Sequence, residues 1–125
     1  MDKLRILIVD DIASMRLLMK QYLRSNERVV VVGEASDGEE ALRKAQESQP
    51  DVVILDMSMP GISGVEVTRK MKTLFPSIHV YLCSAYELKE FEKLNIDSPA
   101  DGFIQKSRMK PELLEMINKE LEQKS

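Results

Sequence analysis

The chain contains one cysteine, Cys83, among 125 residues, so no internal disulfide can form. That usage is expected of a reduced, cytoplasmic compartment. No apolar run approaches the roughly 18 to 20 residues that span a bilayer. The amino-terminal stretch MDKLRILIVDD also lacks a signal-peptide pattern, because its short apolar run ends in two acids. There is no basic tract: 18 Lys and Arg are mixed with 21 Asp and Glu, for a net charge of −3. Direct nucleic-acid binding by phosphate neutralisation is therefore not expected. Neither of the glycine-rich phosphate-binding patterns of nucleotide-binding folds follows an apolar run. Repeats, low-complexity segments and long linkers are missing too. What is left is one soluble domain, large enough to bury a core without disulfides or a structural metal.

The most informative stretch is Asp51 to Gly64, DVVILDMSMPGISG. Four aliphatic residues run into Asp56 and are followed at once by Met-Pro-Gly, the pattern of a buried strand that stops abruptly. Leu4–Val9 repeats this grammar and ends in Asp10 and Asp11. Further β-branched or aliphatic runs at 29–32, 78–83 and 102–105 lead into Gly33, Ser84 and Lys106. Between them, apolar residues recur at helical spacing. Met15, Leu18, Met19, Tyr22 and Leu23 predict a helix over about 13–25, with Ser14 as a capping candidate. Ala41, Leu42 and Ala45 mark a second, started by Asp37 or Ser36 and closed by Pro50. Val65, Val67, Met71 and Leu74 mark a third over about 64–74. Leu88, Phe91 and Leu94 give a weaker helical pattern, running into loop over 95–99. A last helix is predicted to begin near Pro111 with a stripe of Leu113, Leu114, Ile117 and Leu121.

Five strands alternating with helices predict an α/β fold. The chain reads as a single doubly wound, five-stranded parallel sheet, with the flavodoxin-like (βα)5 order 2-1-3-4-5 as one common solution. A parallel sheet gathers its carboxyl ends along one edge. In that order Asp10, Asp11, Asp56, Ser84 and Lys106 line a single cleft. Three carboxylates and one ammonium leave a charge of −2 if all ionise. Acids so close oppose one another's ionisation. A divalent cation relieves this, and oxygen donors favour Mg²⁺ or Mn²⁺ over zinc. A phosphoryl group would then meet a metal, an ammonium and a hydroxyl together, the electrostatics that phosphoryl transfer requires. Each residue also has a plain alternative: Asp10 or Asp11 as a helix cap, Asp56 or Ser84 as a turn residue, Lys106 as a solvated lysine.

These residues resemble the receiver domain of bacterial two-component response regulators, most nearly the single-domain, chemotaxis-type receivers. The resemblance covers essentially all of residues 1–125. It is carried by the acids in ILIVDD, the aspartate in VVILDMSMPGISG, the serine in LCSA and the lysine in DGFIQK. The resemblance implies that Asp56 is the phosphoacceptor. It implies that Asp11 binds Mg²⁺ directly, that Asp10 ligates through water or shares the site, and that the Met57 backbone carbonyl and Asp56 are further ligands. Lys106 would pair with phosphoryl oxygens, Ser84 would be the switch hydroxyl and Phe103 the switch aromatic. Ser58 and Tyr86 occupy positions that tune dephosphorylation in the family. A histidine kinase or histidine phosphotransfer protein is the implied phosphodonor. The implied output is a downstream protein target, bound by the surface of the helix after strand four, strand five and the last helix. The protein is not expected to be an enzyme on other substrates, although it would catalyse its own phosphorylation and slow dephosphorylation. A monomer is expected, with a phosphorylation-dependent dimer as the alternative.

Two departures from the family pattern stand out. Ser107 follows the lysine where the family usually has proline, and Pro99-Ala100 stands where Gly-Ala is common. A phosphorylation-independent receiver-like module is therefore one alternative. Another is a receiver excised from a longer regulator with a DNA-binding output domain; the tail KELEQKS, which shows no clear linker, is read as favouring a standalone protein. A Mg²⁺-dependent phosphohydrolase with an aspartyl nucleophile is disfavoured, because its second acid would fall where Ser58 stands.

Overall fold

The computed structural model describes residues 3–85 and 99–124. Its elements run β1 (Leu4–Val9), α1 (Ala13–Arg24), β2 (Val29–Ala35), α2 (Gly38–Ser48) and β3 (Val52–Asp56). They continue with α3 (Gly64–Leu74), β4 (His79–Ser84), β5 (Gly102–Gln105), a 3-10 turn (Lys106–Arg108) and α4 (Met109–Lys124). The five strands pair in parallel, as the alternating pattern predicts, and their order is the flavodoxin-like β2-β1-β3-β4-β5.

The aliphatic strand sequences follow from burial on both faces. Leu4, Ile6, Ile8, Val52, Ile54, Tyr81, Cys83 and Ile104 share one core with Met19 and Leu23 of α1 and with Leu113 and Ile117 of α4. Leu7, Val9, Val53, Leu55, Val80 and Leu82 form the other core with Ala41 and Ala45 of α2 and Val67 and Met71 of α3. All five residues of β3 are buried. The central strand thus ends in a buried carboxylate.

Helix starts are specified locally. Asp37 accepts a hydrogen bond from Glu40 N–H at 2.8 Å, and Glu40 reaches back to Ser36 N–H at 3.0 Å. Ser63 caps α3 by accepting from Glu66 N–H. The Ser14 cap expected for α1 is not made. Ile12 holds the N-cap position without a side-chain bond, and Asp10 instead accepts from Ile12 N–H at 2.9 Å.

Leu114, expected in the buried stripe of the last helix, is 50% exposed, and Leu18 (36%) and Leu74 (60%), which keep the helical spacing of α1 and α3, are exposed too. In α4 the buried row is Met109, Leu113, Met116, Ile117 and Glu120, which leaves Leu114 off the face. Glu120 can occupy that row because Tyr81 hydroxyl donates to it at 2.5 Å and His79 Nδ1 lies 2.7 Å away. β2 also runs past Gly33 to Ala35. It does so through a register shift opposite Ile6 and Leu7 that leaves Val32 unmatched. The helix expected over 88–94 and the loop over 95–98 lie outside the described residues.

Gly64 decides how closely α3 approaches the end of β3. A Cβ there would stand 2.7 Å from the Asp56 carbonyl oxygen and 2.7 Å from Met57 Cα, both backbone atoms that cannot swing aside. Gly64 N–H also donates to the Met57 carbonyl at 3.2 Å. Gly64→Ala is therefore expected to cost about 1–3 kcal/mol of stability, read as a lowered urea midpoint; an unchanged midpoint would contradict the close approach.

Candidate functional site

The carboxyl ends of β1, β3, β4 and β5 bring together the polar residues expected there. Asp10 is fully buried, Asp56 and Ser84 are nearly so, and Asp11 is exposed. The Lys106 ammonium lies 3.3 Å from Asp56 Oδ1 and 3.6 Å from Asp10 Oδ2. Ser84 stands opposite Gln105 in the β4–β5 register, and Cys83 stands opposite Asp56. Phe103 packs, half-buried, against the α2–α3 core. Ser58 contributes its N–H, which donates to Asp56 Oδ1 at 3.2 Å, while the residue itself is exposed. Tyr86 lies outside the described residues.

Asp10 is the costly member. Its Oδ1 accepts from Ile12 N–H, whereas its Oδ2 is buried with no hydrogen-bond partner. Burial pushes the Asp10 carboxyl above the usual range. The Ile12 N–H and Lys106 offset this in part, while Asp56 and Asp11 push it further up. Burial alone would lower the Lys106 value, but the carboxylates of Asp56 and Asp10 outweigh it and the net direction is up. Lys106 thus stays charged. The Cys83 thiol, enclosed between these layers, is pushed by burial up to about 12 and is not a nucleophile at neutral pH.

Asp10, Asp11 and Asp56 each offer an oxygen, and these oxygens lie within 4.8 Å of one another. One lysine does not balance three carboxylates. An Asp10 Oδ2 that lacks a hydrogen bond, the all-oxygen donor set and the excess negative charge fit a hard divalent cation of the Mg²⁺ class. Met57, whose N–H is held by the Cys83 carbonyl, has a carbonyl with a second lone pair free beside its bond to Gly64.

Three supporting residues, Arg16, Lys20 and Glu34, were not evident from the sequence. Arg16 Nη1 donates to the Asp10 carbonyl at 2.6 Å, and its Nε donates to Glu34 at 3.1 Å. Lys20 reaches the same carboxylate at 2.7 Å, and its hydrogen bond holds Glu34 below the usual range. No local spacing signals a contact between an α1 arginine and the end of β2.

A doubly wound sheet whose edge gathers three carboxylates, a serine and a lysine is the arrangement that the resemblance to receiver domains implies. Residues 6–118 match the response regulator receiver domain family, and the chain belongs to it. It is 37% identical over 114 residues to the response regulator GacA of Pseudomonas viridiflava, covering 91% of this chain and 53% of that protein. The response regulator domain of Thermotoga maritima CheB superposes with a TM-score of 0.81 at 33% identity, covering 96% and 97% of the two chains. A CheY-like receiver domain protein from Methanospirillum hungatei gives 0.82 at 28% identity, covering 98% and 96%. The chain spans about half the length of the curated relatives it matches. Among the described residues, no helix is long and apolar enough to cross a membrane.

The buried, half-unsatisfied Asp10 yields a prediction. Its proton is held more tightly in the folded state than in the unfolded state, so its ionisation opposes folding above the raised value. Asp10→Asn keeps the acceptor for Ile12 N–H and removes the charge. It is expected to raise stability by about 1–2 kcal/mol at neutral pH. The gain should shrink as pH falls through the raised Asp10 value, where the wild-type carboxyl is protonated too. Thermal melts at neutral and acidic pH check this, and a variant less stable than wild type at neutral pH would refute it.

Proposed function

We propose that this domain is a phosphorylation switch in which Asp56 takes a phosphoryl group from a phosphohistidine of a histidine kinase or histidine phosphotransfer protein. The observation that carries the reading is the placement of Asp56: nearly buried, 3.3 Å from the Lys106 ammonium, and clustered with two more carboxylates at the sheet edge. An Asp56 carboxylate oxygen forms the new O–P bond as the N–P bond to the donor imidazole breaks and the imidazole leaves. Mg²⁺ (or Mn²⁺), held by Asp10, Asp11, Asp56 and the Met57 carbonyl, would supply positive charge to the phosphoryl oxygens. Lys106 supplies a second positive charge, already in ion-pair contact with the acceptor. The Ser58 N–H, which now donates to Asp56 Oδ1, is a ready donor to the product. In this reading the domain catalyses its own phosphorylation and is otherwise not an enzyme.

The new group adds roughly −1.5 to −2 charge. Ser84, on the strand beside Asp56, donates its hydroxyl to the phosphoryl group, and Phe103 repacks. The surface that includes β5 and α4 then shifts towards its partner-binding state. Ser58 and Tyr86 tune the lifetime of the aspartyl phosphate. The partner is a downstream protein. The greater length of the curated relatives, one of them a transcriptional activator protein, ExaE of Pseudomonas putida, supports a second reading in which the domain controls an attached DNA-binding output.

The central test is phosphodonor labelling. Asp56→Asn should reduce labelling to background; labelling at the wild-type level would remove Asp56 as acceptor. EDTA should abolish labelling of the wild type, and labelling that survives chelation would remove the metal requirement. Ser84→Ala should still be labelled yet lose phosphorylation-dependent partner binding, measured by titration calorimetry with the labelled and unlabelled forms.

A further inference from the structure

Lys106 depends on a short piece of chain. β5 has four residues, pairs on one side with β4, and has one buried residue, Ile104. The chain leaves it directly into a 3-10 turn that begins at Lys106 and leads into α4. Burial therefore does little to fix where the strand ends. The Lys106 ammonium must nonetheless stay within reach of two carboxylates, at 3.3 and 3.6 Å.

Glu112, in the first turn of α4, reaches back across this corner. Its Oε1 accepts a hydrogen bond from Gln105 N–H at 2.8 Å. Its side chain is largely buried, and its other oxygen stands a distant 3.9 Å from the exposed Arg108. The Gln105 bond, at 2.8 Å, has full hydrogen-bond geometry, whereas a 3.9 Å pair with an exposed arginine contributes little. The residue held by Glu112 adjoins Lys106 in sequence and faces Ser84 across the β4–β5 register.

We infer that Glu112 is a positioning residue for Lys106: by holding Gln105 N–H it sets the end of β5 so that the ammonium meets Asp56. The inference rests on the phosphoacceptor reading for its consequence in phosphorylation, and on geometry alone for the placement of Lys106. What matters in this role is the acceptor oxygen and its reach, while the charge is secondary. Glu112→Gln keeps the acceptor and drops the charge; Glu112→Asp keeps the charge and shortens the reach.

The test uses the full chain with an acyl phosphate as donor. Glu112→Asp should speed hydrogen exchange at the Gln105 amide and slow Asp56 labelling by about tenfold, since small misplacements of a catalytic group are costly. Its Mg²⁺ affinity should be unchanged. Glu112→Gln should match wild type in exchange and labelling, which a loss of general stability or of surface charge would not produce. The inference is overturned if Glu112→Asp exchanges and labels like wild type, or if Glu112→Gln is the more damaging change. Should the wild type fail to label at all, the phosphoacceptor reading fails, and crystal structures of the variants decide the placement. Lys106 displaced beyond ion-pair reach of Asp56 (about 4 Å) in Glu112→Asp alone supports the inference, and Lys106 unmoved in that variant overturns it.

Discussion

The domain depends on keeping like charges together in a place with little water. Asp10 and Asp56 are almost fully enclosed, and Asp11 adjoins them at the rim. Lys106 relieves part of the repulsion and Ile12 N–H part of the desolvation, yet Asp10 Oδ2 is left without a hydrogen bond. Such a cluster opposes folding. The two predominantly apolar cores, one on each face of the sheet, supply the stability that tolerates it. Stability and responsiveness are thus set against each other at one edge of one sheet.

The parallel sheet makes that concentration possible. Every strand presents its carboxyl end to the same side, so residues far apart in sequence become neighbours without any long loop having to carry them. Gly64 tightens the arrangement by letting α3 approach the backbone of Asp56 and Met57. The opposite edge has a different solution to buried charge. Glu120 is enclosed there between Tyr81 hydroxyl and His79, with its acceptor capacity used. Comparing the two edges separates a carboxylate that is satisfied from one that is poised.

Much of this was legible in the sequence because burial on both faces writes itself as unbroken aliphatic runs. The runs ending at Asp10, Asp56 and Ser84 marked strands of a parallel sheet with a shared edge, while the order 2-1-3-4-5 was one common solution among the small doubly wound folds. Legibility failed where position depends on a neighbour far along the chain. Gly33 reads as a strand end, but the strand crosses it by shifting register against Leu7. Leu18, Leu74 and Leu114 fit an apolar stripe yet face out, and in α4 the buried place falls to Glu120, which has distant polar partners. Arg16, Glu34 and Glu112 support the site through contacts that no local periodicity encodes.

The contacts of Glu34 have a consequence for how the chain behaves among copies of itself. β2 is an outer strand of the sheet, and outer strands offer unpaired backbone groups on which a foreign strand can grow. Here Lys44 donates to the Glu34 carbonyl, while Arg16 and Lys20 converge on its side chain. The mismatch at Val32 interrupts the regular spacing that an incoming strand would have to match. Lys44 thus occupies one backbone acceptor of this outer strand, and Arg16, which braces Asp10 from behind, holds the side chain of the same residue. Around Glu34 the outer strand therefore offers an incoming strand fewer free backbone groups and no regular register.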